Sequence, residues 1–322
     1  LYFNTTGTYN TANGTSALQN NTTASANTAN GFSALIYNTT GANNTANGYA
    51  ALYSNTTGIG NTATGRAALY SNTTGNYNIA VGYAAMESNT TGSNNVANGR
   101  EALFSNTTGI NNTANGVDAL RSNTTGNYNT ANGKDALFSN TTGSWNTANG
   151  FEALYFNTTG SNNVANGRDA LSGNTTGSGN ISIGPRNSAG TNAPAFNITT
   201  QNNYISMGST SVTNAYIQVA WTVTSDARDK TNFGEVPHGL DFVSKLEPIS
   251  YKFKESRDSD VSVGDVKYGF KAQDILALEG DNNVIIDTQD EDTLRYNESS
   301  LIPVLVNAIK ELKAEIELLK NK

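Results

Sequence analysis

The stretch from Asn123 to Ser139 is Asn-Thr-Thr-Gly-Asn-Tyr-Asn-Thr-Ala-Asn-Gly-Lys-Asp-Ala-Leu-Phe-Ser, one copy of a unit that repeats every 17 residues. The Asn-Thr-Thr triplet begins at positions 4, 21, 38, 55, 72, 89, 106, 123, 140, 157 and 174, without one insertion or deletion. A glycine and an Ala-Leu pair keep the same period, and Met86 is the only replacement of that leucine. A solenoid requires such constant spacing, because each coil must stack on the previous one.

The residues within each unit predict short strands joined by turns. A unit of 17 residues is too short for helical repeats, which need about 33 residues or more. Asn-Thr-Thr-Gly favours a turn, because asparagine forms Asx-turns and glycine adopts positive φ angles. The Asn-Thr-Ala-Asn-Gly segment alternates β-branched residues with alanine, which is typical of a strand. We therefore predict a mainly β shaft, a parallel β-roll or β-solenoid with one or two strands per coil and a length of roughly 50 Å.

The apolar content of each coil suggests that the shaft needs partners. Each unit offers little more than one Ala-Leu pair and one β-branched residue. We expect a single chain to bury too little apolar area to offset its conformational entropy, so that three chains would share one axis. The Asn-x-Ala-x-Gly element resembles the Ser-x-Ala-x-Gly repeat of trimeric autotransporter adhesin heads. This resemblance implies a homotrimeric β-roll with ladders of asparagine and threonine along the stack.

Three features of the repeat have both a functional and a structural interpretation. Each Asn-Thr-Thr is a formal glycosylation sequon or simply a repeated turn. Stacked asparagines could bind ions on an axis or hydrogen-bond to one another. Bulky residues at variable positions could stack on sugar rings or pack between coils and chains. The candidate glycan contacts are Tyr9, Tyr77, Tyr128 and Trp145 after the turn, with Phe32, Tyr49, Tyr83 and Phe151 after the glycine.

The composition excludes several classes of function. The chain has no cysteine and a single histidine, His238, so we predict neither disulfides nor a metal site, and no cofactor. A net charge of −7 argues against a nucleic-acid partner. No apolar run approaches the roughly 20 residues of a membrane span. Because Leu1 lies inside a repeat, we expect the sequence to be a fragment, so the absence of a signal peptide carries little weight.

Charge and proline content place the domain boundaries. Residues up to Gly184 include five basic and six acidic side chains, whereas fourteen and twenty follow from Pro185 onward, together with all five prolines. We predict a repeat shaft at 1–184, a β neck at 185–224 and a C-terminal domain at 225–322. Within the neck, 204–208 and 215–224 alternate like strands. The C-terminal domain is expected to be α+β and to end in a helix at about 299–321.

The C-terminal domain resembles the intramolecular chaperone domain of endosialidases and other phage tail fibres and spikes. Four elements in order carry this resemblance: Ser-Asp-x-Arg-x-Lys at 225–230, Leu-Glu-Pro-Ile-Ser-Tyr-Lys-Phe at 246–253, Tyr-Gly-Phe-Lys-Ala-Gln at 268–273, and Tyr296 followed by Leu-Ile-Pro-Val-Leu-Val at 301–306. Phe233 departs from the isoleucine more common in the family, but both residues are apolar.

The resemblance implies that the domain assembles the fibre into a trimer and is then released by one cleavage between Thr224 and Ser225. Ser225 would be the nucleophile and Lys230 its base, while Asp226 and Arg228 would orient the loop or seal a subunit contact. A serine hydroxyl needs a base at neutral pH, and lysine serves as one only when burial lowers its pKa. The only enzymatic activity expected is this single-turnover serine peptidase reaction of the chain on itself.

The C-terminal helix carries a heptad pattern. Apolar residues step by three and four through Ile302, Leu305, Ile309, Leu312, Ile316 and Leu319, with isoleucine at a and leucine at d. Asn297, Ser299 or Ser300 could cap this helix, and Pro303 fits its first turn. The Ile/Leu choice alone favours a dimer, whereas the resemblance implies three strands. Packing of the helix on its own domain is the alternative.

These features predict a trimeric tail fibre that attaches a virus to its host. Its partners would be further copies of itself, a host surface glycan or protein receptor, and a virion or baseplate reached through a missing N-terminal part. The expected location is the virion. A bacterial cell-surface adhesin or injection-system fibre with the same chaperone is the alternative, with an extracellular location. A glycan-degrading spike is disfavoured, because the coils leave no room for a catalytic domain and hold few carboxylates.

Overall fold

The structure is a computed structural model, in which the described residues are 1–185, 190, 194, 197–209, 212, 227, 230–254, 259–280, 283–288 and 294–321. The chain forms two compact units, residues 1–212 and 213–322. The first is a parallel β-solenoid with coils of 17 residues, and the second is a small α+β region that ends in a helix. The predicted fold class is confirmed in both parts.

Each coil of the solenoid contributes one strand of three residues to a single parallel sheet. Neighbouring strands pair in chain order with every residue opposite its counterpart 17 positions on, as Thr113 is opposite Thr130. The strands are Thr11–Asn13 (β1), Thr28–Asn30 (β2), Thr45–Asn47 (β3), Thr62–Thr64 (β4), Ile79–Val81 (β5), Val96–Asn98 (β6), Thr113–Asn115 (β7), Thr130–Asn132 (β8), Thr147–Asn149 (β9), Val164–Asn166 (β10) and Ile181–Ile183 (β11).

The sheet continues beyond the repeats. A twelfth strand, Ile205–Met207 (β12), pairs in parallel with β11, so that Ile205 lies opposite Ile181. The strand predicted at 204–208 is therefore part of the shaft sheet. The second strand predicted in the neck, 215–224, lies outside the described residues. Ile198 and Tyr204 pack against the apolar core of the shaft.

The shaft core is closed within one chain. From the second to the tenth coil, the strand alanine and the Ala-Leu pair are buried almost completely, as are two asparagines per coil. The β-branched residue points outward, because side chains alternate along a strand. We expected chains to share a core, whereas the described shaft residues enclose an apolar core within one chain. That expectation counted apolar area alone, although two of the five buried side chains of a typical coil are asparagines that form hydrogen bonds. Trimer formation itself stays a prediction.

Two ladders of buried asparagine side chains run along the shaft. In the first, Asn106 Nδ2 donates to Asn89 Oδ1 at 2.8 Å and to the carbonyl of Gly109 at 3.1 Å, and its own Oδ1 accepts from Asn123. In the second ladder, Asn112 bonds to the preceding coil twice: its backbone N–H and its Nδ2 both donate to Asn95 Oδ1. Each coil therefore holds the next one through both its backbone and its buried amides.

The ladders settle two of the interpretations of the repeat. The asparagines of the Asn-Thr-Thr triplets are fully buried from Asn21 to Asn174. A glycan cannot occupy a buried amide, so the triplet is a turn in the folded shaft. The stacked amides bind one another, as the structural interpretation predicted.

The backbone of every coil is strained at repeated positions. Positive φ angles occur at three non-glycine positions of the unit, for example Tyr77 (56°), Ala84 (52°) and Met86 (54°). Such residues cost about 1 kcal/mol each. The repeated glycine is needed for a different reason: at Gly82, where φ is 136°, a Cβ atom would collide with the carbonyl group of Gly99 in the next coil.

In its described residues, the second unit combines three helices with two small antiparallel sheets. Its elements are Leu240–Ser244 (α1), Ile249–Lys254 (β13), Ser262–Gly269 (β14), Ala272–Glu279 (α2), Ile286–Asp287 (β15), Arg295–Tyr296 (β16) and Glu298–Lys320 (α3). Strand β13 pairs with β14 and β15 with β16. Because α3 begins at Glu298, Pro303 is its sixth residue, beyond the first turn where it was predicted. Asn297 is the N-cap, and its side chain makes no capping hydrogen bond.

All charged residues of the eleven repeats lie at three positions of the unit, those of Lys134, Asp135 and Phe138 in the copy quoted above. We call this surface the charged face. Its acidic column is Glu101, Asp118, Asp135, Glu152 and Asp169. Cations on either side pair with this column: Arg100 with Asp118 at 2.6 Å and Arg121 with Glu101 at 2.8 Å.

The asparagine ladder predicts that one missing amide destabilises the shaft strongly. Replacing Asn106→Ala leaves Asn89 Oδ1 without its donor in a buried site. It also removes one of two partners from the Gly109 carbonyl and from Asn123 Nδ2. We expect a loss of about 3 kcal/mol in the free energy of unfolding. Denaturant unfolding followed by circular dichroism measures it. Thr108→Ala, an exposed hydroxyl in the same coil, is the control, and equal stability of the two variants would contradict the ladder argument.

The charged face predicts a pH dependence of stability. Burial raises the pKa of the Asp118 carboxyl, and the guanidinium of Arg100 opposes this effect. The folded chain therefore binds this proton more tightly than the unfolded chain, so the charge costs stability above the folded-state pKa and costs nothing below the unfolded value of about 4. We expect Asp118→Asn to melt at a higher temperature than the wild type at pH 7, with the difference vanishing near pH 3.5. A variant that is less stable at pH 7 would show that the ion pairs outweigh the burial.

Candidate functional site

The predicted cleavage site lies largely outside the described residues. Thr224, Ser225, Asp226 and Arg228 belong to this group, so their positions carry no structural argument. Lys230 is described: its side chain is exposed, and its backbone N–H donates to the carbonyl of Ala227 at 3.2 Å. The structure thus places the predicted base on the surface of a single chain.

Three of the four motifs that carry the chaperone resemblance contribute to one small core. Phe242 of α1, Ile275 of α2, Ile285 and Ile286 pack against Leu301 and Val304 of α3. Leu246, Phe270 and Tyr296 border this cluster, and the rings of Phe270 and Tyr296 meet edge to face at 6.0 Å. Segments that are distant in sequence therefore form a single hydrophobic centre.

An open apolar groove of about 1130 Å³ lies beside this core. Pro248, Phe270 and Tyr296 form one side, and Leu301, Ile302 and Leu305 of α3 form the other. The groove continues into the exposed heptad seam of the same helix. A large exposed apolar surface of this kind is typical of a protein–protein contact.

Helix α3 presents two different apolar stripes. Leu301, Val304 and Ala308 are buried in the domain. The predicted coiled-coil residues, by contrast, are between 38% and 69% exposed: Ile302, Leu305, Ile309, Leu312, Ile316 and Leu319. Packing on its own domain thus uses one stripe and leaves the heptad seam uncovered. The seam's role in a trimer stays a prediction.

Polar contacts fix the position of α3 beside the segment that precedes α1. Asn307 Nδ2 donates to the carbonyl of Val236 at 3.2 Å, and Glu311 Oε2 accepts from the backbone N–H of Leu240 at 2.6 Å. The ring of His238 stacks on Phe242 at 4.3 Å. The only histidine of the chain therefore packs against a core residue of the second unit.

Glu279 is a structural residue that sequence reasoning missed. It is buried at the end of α2, and its carboxylate accepts the backbone N–H groups of Val284, Ile285 and Ile286 at 2.8, 2.7 and 2.9 Å. A signal was present, since glutamate at a helix C-terminus is unfavourable for the helix dipole unless it has a specific partner. This carboxylate organises the turn into β15.

The four aromatic residues predicted to contact glycans share one column of the shaft. Tyr9, Tyr77, Tyr128 and Trp145 are 90%, 58%, 42% and 57% exposed, and each has a positive φ angle. They are separated by four, three and one coils, so only Tyr128 and Trp145 touch, with parallel rings at 4.0 Å. Six of the other seven coils hold asparagine or glycine here, residues that adopt this backbone at lower cost, and the second coil holds Ala26. Strained, exposed aromatics are consistent with a binding role, which stays a prediction.

The described residues contain neither a membrane-spanning helix nor a metal-binding cluster. None of the described helices is both long enough and apolar enough to span a bilayer. In the part of the chain that the structure describes, histidine, aspartate and glutamate side chains nowhere form a group of three suited to a metal ion.

Comparison with known proteins gives a family match within the second unit. A search of the curated proteins found no match. A family model does match, and its match begins at the predicted nucleophile, covers α1, β13, β14 and α2, and leaves the repeats outside. Residues 225–284 match the peptidase S74 family, described as chaperone of endosialidase.

Proposed function

We propose that this protein is a self-processing, homotrimeric attachment fibre. The observation that carries the proposal is the order of its parts: a β-solenoid shaft is followed by a segment that matches the endosialidase chaperone family from Ser225 onward. A shaft followed by such a chaperone fits a fibre-like protein. The chaperone would fold and trimerise the chain, then leave, and the shaft would attach the particle to its host.

The release reaction would be an N-to-O acyl shift followed by hydrolysis. The Ser225 hydroxyl attacks the carbonyl carbon of Thr224, and neutral Lys230 takes the hydroxyl proton. The C–N bond breaks, and the proton passes to the departing amine of Ser225. Water then cleaves the ester and leaves a carboxylate on Thr224 and the free hydroxyl on Ser225.

The exposure of Lys230 supports a coupling between cleavage and assembly. A lysine acts as a base near neutral pH only when its ammonium form is disfavoured by burial or by a neighbouring cation. A single chain leaves this side chain exposed. Burial by a neighbouring copy, with Asp226 and Arg228 at the contact, would therefore switch on the reaction only after the trimer has formed.

The second unit offers the surface for three copies to associate. The heptad seam of α3 and the adjoining groove together expose an apolar surface that a single chain does not cover. Glu315 at a g position and Lys320 at the following e position could pair between copies. Association of three seams would bury these residues in a coiled coil.

The shaft offers a second contact surface. We call the residues at the repeat positions of Thr130 and Asn132 the outer sheet face. It carries no charge in any of the eleven coils, and every residue at the first position is threonine, valine or isoleucine. Ile183, Ile205 and Met207 make its C-terminal end apolar and exposed. Depletion of charge is the compositional sign of an interface core, so we place the threefold axis beside this face.

The cleavage proposal predicts one specific fragment. Intact-mass analysis of the expressed wild-type chain should show a product that begins at Ser225. Ser225→Ala should stay whole because it has no nucleophile, and Lys230→Arg should stay whole because arginine keeps its proton. Ser225→Cys, which retains a nucleophile, is the positive control. A wild-type chain that remains whole after assembly would contradict the proposal.

The trimer proposal predicts which residues meet at the axis. The chain has no cysteine, so each single substitution reports one position. In the Ser225→Ala background, light scattering should give a trimer. A short bismaleimide should then link copies through Thr113→Cys on the outer sheet face. It should not link them through Thr108→Cys, an exposed turn residue of the same coil. A monomer would refute the trimer, and linkage only through Thr108→Cys would refute the choice of face.

A further inference from the structure

Arg66 differs from every other cation of the shaft. Arg100, Arg121, Lys134 and Arg168 each lie within ion-pair distance of a carboxylate on the charged face. Arg66 occupies the same repeat position as Arg100, Lys134 and Arg168, and its side chain is exposed. Among the residues that the structure describes, no carboxylate lies within 4 Å of its guanidinium.

The repeat explains why Arg66 lacks a partner. Arg100 is flanked by Glu101 in its own coil, and its strongest contact is with Asp118 in the next coil, at 2.6 Å. The residues at the corresponding positions beside Arg66 are Ala67 and Ala84. The coil geometry is the same in both places, so a carboxylate supplied from outside can take the position that the Asp118 carboxylate holds beside Arg100.

Aromatic rings surround this position. The guanidinium of Arg66 lies over the ring of Tyr49 in the preceding coil, at 5.7 Å, and over that of Tyr83 in the following coil, at 5.6 Å. Tyr49 and Tyr83 are 53% and 48% exposed. On the other side of the alanine column, Tyr53 and Tyr70 stack with their centroids 4.7 Å apart. The two flanking rings restrict the guanidinium, and four tyrosine side chains lie in this part of the shaft.

We propose that Arg66, held between Tyr49 and Tyr83, binds the carboxylate of an acidic sugar residue in a surface polysaccharide. The planar guanidinium matches a carboxylate with two parallel hydrogen bonds. The surrounding phenol groups suit the hydroxyl groups and C–H faces of a sugar ring. The site lies on the charged face rather than on the outer sheet face, so it stays open when copies associate as proposed. An acidic sugar would be the ligand class of the attachment function proposed above, and the inference rests on that function.

The acidic residue nearest along the same face is Glu87, one coil further on and at the repeat position of Tyr53 and Tyr70. Its charge opposes that of an acidic sugar. Replacement of Glu87→Gln should therefore strengthen binding, and added salt should weaken it.

Isothermal titration of the 322-residue Ser225→Ala chain with trigalacturonate tests the site. We expect saturable binding that Arg66→Gln weakens by about tenfold or more, a loss typical of a charge-assisted hydrogen-bonded pair. Ala84→Asp should weaken it as well, because this substitution supplies an internal carboxylate as Asp118 does for Arg100. Arg168→Gln removes a cation that is already paired and should change nothing.

Matched ligands decide the chemical class. The methyl ester of trigalacturonate has the same sugar rings without the charge and should bind at least about tenfold more weakly. A sulfated neutral tetrasaccharide tests whether a sulfate can replace the carboxylate; tighter binding than trigalacturonate would overturn the choice of carboxylate. A hexaglutamate peptide that binds as tightly would overturn the assignment to a sugar.

Equal affinity of wild type and Arg66→Gln for trigalacturonate would overturn the site, and so would the absence of binding by the wild type. Neither result would affect the cleavage product or the trimer. Failure of this inference is therefore distinguishable from failure of the proposed assembly.

Discussion

The hydrogen bonds between buried asparagine side chains are the interaction on which the shaft depends. Each amide donates to the coil before it and accepts from the coil after it, as Asn106 does between Asn89 and Asn123. Insertion of a single residue would move an amide out of line and leave buried polar groups unpaired on both sides. This constraint explains why the period of 17 never varies. It also explains how a coil with so little apolar area can be closed.

A core that is closed within one chain changes how copies of the chain would assemble. Copies would associate through surfaces, namely the outer sheet face and the seam of α3, and not by sharing an interior. Identical coils present a different difficulty during folding, because a chain can pair in a register shifted by one whole unit at little energetic cost. We infer that a chaperone at the C-terminal end contributes by fixing where the stack begins, after which each coil templates the next.

Periodicity alone was enough to predict the solenoid and its short strands, and the resemblance to adhesin heads added the ladders of asparagine. These features are local, since they follow from the spacing of Asn, Ala and Gly within 17 residues. Closure of the core could not be predicted in this way, because it depends on hydrogen bonds between coils that apolar counting ignores. The same holds for the setting of Arg66, which is special only because Ala67 and Ala84 replace carboxylates that lie beside Arg100. The exposure of Lys230 and the buried carboxylate of Glu279 are likewise products of tertiary structure.

Electron cryomicroscopy of the assembled Ser225→Ala chain is the most direct test of the claim that each shaft carries its own complete core. The account predicts separate parallel solenoids around one axis, each with the Ala-Leu pairs and both asparagine ladders of a single chain in its interior, and with the outer sheet faces turned toward the axis. A single intertwined solenoid, whose successive coils come from different copies, would contradict it.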